Sequence, residues 1–276
     1  MPRNGTTSTK EQVAAGDLLR QIAVAAAAAI AVVAGLSGAG VFGGVRAQDV
    51  DGGALDSDAT HLAPGSGALV IWTAICVGYV LFAIWQFFPN ERTKPRQRAA
   101  GWWVAMSMLL NAVWILVVQA GLVVLSVLVV AALLAALAVA FRQLQQTEAA
   151  GPIDVLVADG TVGLSLGWVS VASAANVAAA LVAVGFDGFG WPADVWSVLI
   201  ILVLTGIGIA IAIIGRGRFA PAIAIVWGLA WIAVARLTDD PYSLTTAIAA
   251  FVAATVIALV TVVSRLRTLA VDDDPV

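Results

Sequence analysis

Eight long apolar runs decide what this chain can become. They cover residues 18–41, 67–88, 100–118, 122–141, 161–184, 195–214, 219–235 and 243–263. A helix needs ~20 apolar residues to cross a hydrocarbon core of roughly 30 Å. The runs are apolar on all sides, whereas membrane strands would alternate in segments of ~10 residues. A barrel is therefore excluded, and so is a soluble fold. The chain is 61% hydrophobic and only 11% charged, against about 25% charged in soluble domains. The expected fold class is all-α, a polytopic transmembrane bundle of about eight spanning helices.

The basic residues orient the bundle, because cytoplasmic loops are enriched in Lys and Arg. With the N-terminus inside, the inside segments hold Arg3, Lys10, Arg20, the cluster Arg92, Lys94, Arg96 and Arg98, then Arg142, Arg216, Arg218, Arg265 and Arg267. The outside segments hold only Arg46 and Arg236. Twelve against two, repeated loop by loop, makes an even helix count with both termini cytoplasmic self-consistent. Val45-Arg46-Ala47 has the look of a signal-peptidase site, but the run before it exceeds the 7–15 residues of a secretory core, so the helix is read as retained. Residues 1–16 read as a disordered cytoplasmic tail and residues 268–276 as an acidic one.

Absences narrow the chemistry. The only lysines are Lys10 and Lys94, both outside the runs, so a retinal Schiff base has no attachment point. No ionisable residue stands at the centre of a run, which disfavours ion- or proton-coupled transport. No His or Met pair could hold haem iron. There is no phosphate-cradling loop, nucleophile with a base, or metal cluster. No enzyme activity, cofactor or metal is expected, and no basic patch suggests nucleic acid. Asp154 and Asp159 read as a solvated loop pair, and Gly160, Gly163 and Gly167 as helix-packing glycines. Cys76 reads as a small buried apolar residue.

The polar residues within the runs are few and periodic. Trp103, Ser107, Asn111 and Trp114 recur at helical spacing in the third run. In the second, Trp72, Cys76, Tyr79 and Gln86 fall close to one face, and in the fifth, Val169, Ser173 and Asn176 share a face beside Trp168. Trp227 and Trp231 form an i, i+4 pair in the seventh, while Trp102, Trp103, Trp191 and Trp196 suit interfacial belts. An Asn amide in hydrocarbon must find partners. Asn111 and Asn176 are thus either interhelical glue or the orienting groups of an aromatic-walled cavity. Spacing alone leaves both readings open.

These same residues resemble a known family. The stretch from Trp72 to Gln86, the segment Leu110-Asn111-Ala112-Val113-Trp114, and Trp168 eight residues before Asn176 are similar to the tryptophan-rich sensory proteins of the TspO/MBR, or translocator-protein, family. The resemblance lies over the first five runs. It makes residues 17–184 a TspO-like five-helix core and residues 185–267 three additional transmembrane helices. The chain departs from the family pattern at Ala63-Pro64-Gly65, where a Trp-rich paired-proline loop is expected, and in the longer Trp72-to-Tyr79 spacing. The resemblance implies a membrane-embedded binding protein or sensor for a flat hydrophobic ligand such as a tetrapyrrole (porphyrin) or sterol-like molecule. It also implies a bacterial-type cytoplasmic membrane and a homodimer. The ligand-binding residues it implies are Trp72, Tyr79, Asn111, Trp114, Trp168 and Asn176. A facilitator or accessory subunit of a membrane transport complex is the alternative.

Overall fold

The structure, a computed structural model, describes residues 5–43 and 46–272. Eight helices follow one another: α1 (Gly5–Gly38), α2 (Val70–Trp85), α3 (Pro95–Gln119), α4 (Val123–Gln145), α5 (Pro152–Ala183), α6 (Ala193–Ile214), α7 (Phe219–Thr238) and α8 (Leu244–Asp272). All eight contain a stretch long and apolar enough to cross a membrane. No strand occurs among the described residues. Large apolar side chains such as Leu128, Leu202, Val203 and Leu259 lie exposed along the helix flanks. In water such a surface would aggregate; in a bilayer it is the lipid-facing surface.

Helix ends explain where the apolar runs and the observed elements part company. Pro95 and Pro152 occupy the first turns of α3 and α5, where a missing N–H costs nothing. Both helices therefore begin well before the apolar runs inside them. Segment 90–98, whose charges read from sequence as a basic loop, ends in helix: Pro95, Arg96, Gln97 and Arg98 form the opening turn of α3. α1 extends back to Gly5, into the segment read as a tail, and α8 runs on to Asp272. Residues 1–4 and 273–276 of the two expected tails lie outside the described residues. Gly121, at φ +73°, makes the tight turn between α3 and α4 that a side chain would oppose.

Two apolar clusters fill the bundle. The larger joins α1 to α5, with Ala224 of α7. The second joins α6, α7 and α8, with Val171 of α5 and Leu62. The seam between them is α5 against α7, and it is built from small residues. A methyl at Gly167 would lie 2.2 Å from the Pro221 carbonyl oxygen, and one at Gly163 2.7 Å from Ala220. Two backbones this close gain van der Waals contact that larger side chains would prevent. Gly160, the third glycine of the expected packing stripe, meets nothing closer than 3.8 Å.

Candidate functional site

Asn176 ties three helices together. Its Oδ1 accepts from the Trp114 indole N–H of α3 at 3.1 Å and lies 3.0 Å from the Ser126 hydroxyl of α4. Ser126 also lies 2.6 Å from the Val123 carbonyl, so one hydroxyl proton serves two acceptors. The other half of the amide is different. Asn176 is 1% exposed, and its Nδ2 has no hydrogen-bond partner among the described residues. Asn111, one turn before Trp114 on α3, is buried at 7% exposure. Among the described residues, no hydrogen bond engages its side-chain amide. An amide without a partner in a dry interior costs about 1–3 kcal/mol.

Aromatic groups lie in the same half of the bundle. Tyr79 and Trp168 are buried members of the larger cluster, and Trp72, Trp114, Trp227 and Trp231 pack against it half-buried. The Tyr79 hydroxyl lies near the side chains of Ser107 on α3 and Ser165 on α5. Trp72 lies over Gly35 of α1, where a methyl would stand 3.3 Å from its ring, and it packs with Trp114 around Ala112 and Ile115. All six residues expected from the sequence therefore belong to one half of the bundle. The face drawn through Trp103 does not hold: Trp103 is exposed, as Trp102 is, while Ser107 and Asn111 are buried.

Sequence reasoning left Trp227 and Trp231 outside the site. The Trp227 N–H donates to the Ala68 carbonyl at 3.0 Å, and the two rings meet edge-on at 5.8 Å. Trp231 lies so close to the chain entering α2 that a methyl on Gly67 would fall 2.1 Å from its ring. The signal was present as an i, i+4 indole pair in one run and a Gly-x-Gly in another. Nothing in the spacing said that the seventh helix reaches the second.

The basic face holds a different kind of centre. Asp154 and Asp159, expected as a solvated pair, are buried. Arg96 Nε lies 3.1 Å from Asp154 and Arg96 Nη2 2.6 Å from Asp159. Arg96 Nη1 donates to the carbonyls of Leu144 and Thr147 at 2.5 and 2.6 Å. Arg218 pairs with Asp159, and the Trp85 N–H donates to Asp154 at 3.3 Å. Burial pushes the Arg218 guanidinium below its ordinary value, while Asp159 beside it opposes that shift. The local reason is a π-helical turn over Val155–Gly160. Its i, i+5 repeat places residues five apart on one line, so both carboxylates face the same guanidinium. A second group joins Asp17 to Arg20 at 3.0 Å and to Arg98 at 2.6 Å, with Gln86 and the Arg92 carbonyl completing Arg20.

An all-helical bundle with eight helices long and apolar enough to span a bilayer is the architecture of a multi-pass membrane protein. The family comparison agrees. The model of the TSPO-like protein family matches residues 20–263, and the chain belongs to that family. The match includes α6 to α8 as well as the first five helices. Neither the curated proteins nor the solved structures gave a match to the chain. Family membership supports a ligand-binding or sensing role in the membrane in general terms.

Proposed function

We propose that this protein binds a flat hydrophobic ligand, of the tetrapyrrole or sterol-like class, among α2, α3, α5 and α7, and that it acts as a sensor or carrier for it. The binding residues are Trp72, Tyr79, Asn111, Trp114, Trp168 and Asn176, joined by Trp227 and Trp231. One observation carries this reading: Asn176 Nδ2 is a buried donor lacking an acceptor, on an amide whose oxygen the Trp114 indole holds. A ligand carbonyl or carboxylate would satisfy that donor, and the ring faces would stack on the ligand body. A bacterial-type cytoplasmic membrane and a homodimer, both implied by the family resemblance, belong to the same proposal.

The test is titration of the full chain in phosphatidylcholine nanodiscs with protoporphyrin, followed by tryptophan quenching. Saturable quenching beyond that of empty discs containing free tryptophan is expected. Asn176→Leu and Trp114→Ala should weaken it about tenfold and several-fold respectively, as loss of a buried hydrogen bond and of an aromatic wall would do. Quenching that stays linear, or that both variants leave intact, would remove the proposal.

A further inference from the structure

A separate cavity of about 220 Å³ opens at the outer end of the bundle, between the 60–62 segment, the end of α5 and the start of α6. None of the six central residues lines it. Ala178, Leu181, Val182 and Ile200 form its apolar walls, and Phe186, Trp191 and Trp196 its aromatic side. Phe186 meets Trp196 edge-on at 5.6 Å, and Trp191 lies 5.9 Å from Trp196. The Trp196 N–H is already used, donating to the Gly188 carbonyl at 3.0 Å. Trp196 is thus held by the protein rather than by lipid headgroups, and its donor is not available to a ligand. Gly188 makes this possible: it sits at φ +67°, and a methyl there would fall 2.9 Å from the indole nitrogen.

The polar groups of the cavity all select one kind of ligand. His61 Nδ1 lies 2.9 Å from Asp194 Oδ1. That carboxylate is held in turn by the Ser243 hydroxyl at 2.5 Å, and hydroxyl contacts continue through Thr246 to Ser197. Asp187 stands exposed at the rim, its Oδ1 capping the Phe189 N–H at 2.9 Å. The nearby cation, Arg236, is buried and bonded to the carbonyls of Ser57, Thr60 and Pro241. The segments expected outside carry eight aspartates, Asp49, Asp51, Asp56, Asp58, Asp187, Asp194, Asp239 and Asp240, against Arg46 and Arg236. A field of that sign concentrates cations at the mouth.

We infer that this cavity binds amphiphilic organic cations, an aryl- or alkylammonium, from the outer face. The ammonium group lies against the Trp191 and Phe186 faces and the Asp187 carboxylate, because ring quadrupoles and a carboxylate both attract positive charge. The apolar body occupies the space between Leu181, Val182 and Ile200. This site is independent of the central one, so porphyrin binding can fail without touching it.

The experiment is calorimetric titration of the full chain in zwitterionic phosphatidylcholine nanodiscs, corrected by empty discs. The probes are benzyltrimethylammonium and its uncharged carbon isostere, neopentylbenzene. Saturable binding of the cation is expected, about tenfold tighter than the isostere. Asp187→Asn keeps the capping oxygen and removes the charge; it should weaken cation binding about fivefold. Trp191→Leu, at an exposed residue that packing does not need, should weaken it similarly. Saturating protoporphyrin should leave cation binding in place. Equal affinity for the two probes, full affinity in both variants, or displacement by porphyrin would each overturn the inference.

Discussion

The basic end of the bundle and its aromatic middle solve the same problem in opposite ways. Both bury polar groups in a low-dielectric interior. At the basic end Arg96 is charge-paired: one carboxylate lies against its Nε and another against its Nη2, its Nη1 donates to two carbonyls, and a second arginine shares Asp159. In the middle, Asn176 is satisfied on one side only, and Asn111 on neither. A charge-paired centre fixes the geometry of the helices it joins, here α3, α4, α5, the α4–α5 connection and the start of α7. A half-paired centre keeps binding capacity for something outside the chain. The protein is charge-paired at its basic end and incomplete at Asn176.

That contrast breaks most severely at Arg96. Arg96→Met leaves two buried carboxylates facing one remaining guanidinium, and loss of a buried ionic partner costs about 3–5 kcal/mol. The expected result is a large drop in the midpoint of denaturant unfolding in detergent. Arg96→Lys should recover little, because one ammonium cannot serve carboxylates and carbonyls in four directions. Unfolding at the native midpoint in Arg96→Met would mean that the ionic centre fixes nothing. Next in size is the α5–α7 seam. Gly167→Ala places a methyl against backbone rather than a movable side chain, and overpacking of this kind costs about 1–3 kcal/mol. The same measurement checks it, with Gly160→Ala, where no close contact exists, expected to stay near the native midpoint.

Much of this architecture was legible beforehand, for reasons that also explain what was hidden. The eight spans follow from one-dimensional quantities, run length and polarity, and so survive the absence of any tertiary information. The positive residues gave orientation by counting, yet counting treated Arg96 and Arg98 as solvated loop charges. Their role depends on Asp154, Asp159 and Asp17, more than fifty residues away in sequence, and on a π-helical turn that no simple 3.6-residue periodicity describes. The amide residues Asn111 and Asn176 were visible because Asn in an apolar run is costly wherever it points. That Trp114, and not Asn111, reaches Asn176 was not visible, since helix rotation and depth are fixed by packing. Trp227 and Trp231 were seen as a pair but not as neighbours of Gly65 and Gly67, because contact between distant helices leaves no local trace.

Smaller effects sharpen the comparison within the middle itself. Trp114→Phe keeps the aromatic wall and removes one donor to Asn176. It should cost about 0.5–1.5 kcal/mol in unfolding, the net value of one hydrogen bond, with a few-fold loss of porphyrin quenching.

Asn111→Leu should move stability least and is the most informative of the set. Asn111 forms no side-chain hydrogen bond among the described residues, so replacing it by an apolar side chain of similar size gives up no hydrogen bond. Unfolding within about 0.5 kcal/mol of the native chain, or slightly above it, is the expected outcome. Porphyrin quenching should nevertheless weaken. Interhelical glue behaves the other way round, losing stability first and binding only through misfolding. If Asn111→Leu destabilises as much as Trp114→Phe, then Asn111 holds helices together, and the incomplete half of the molecule reduces to Asn176 alone.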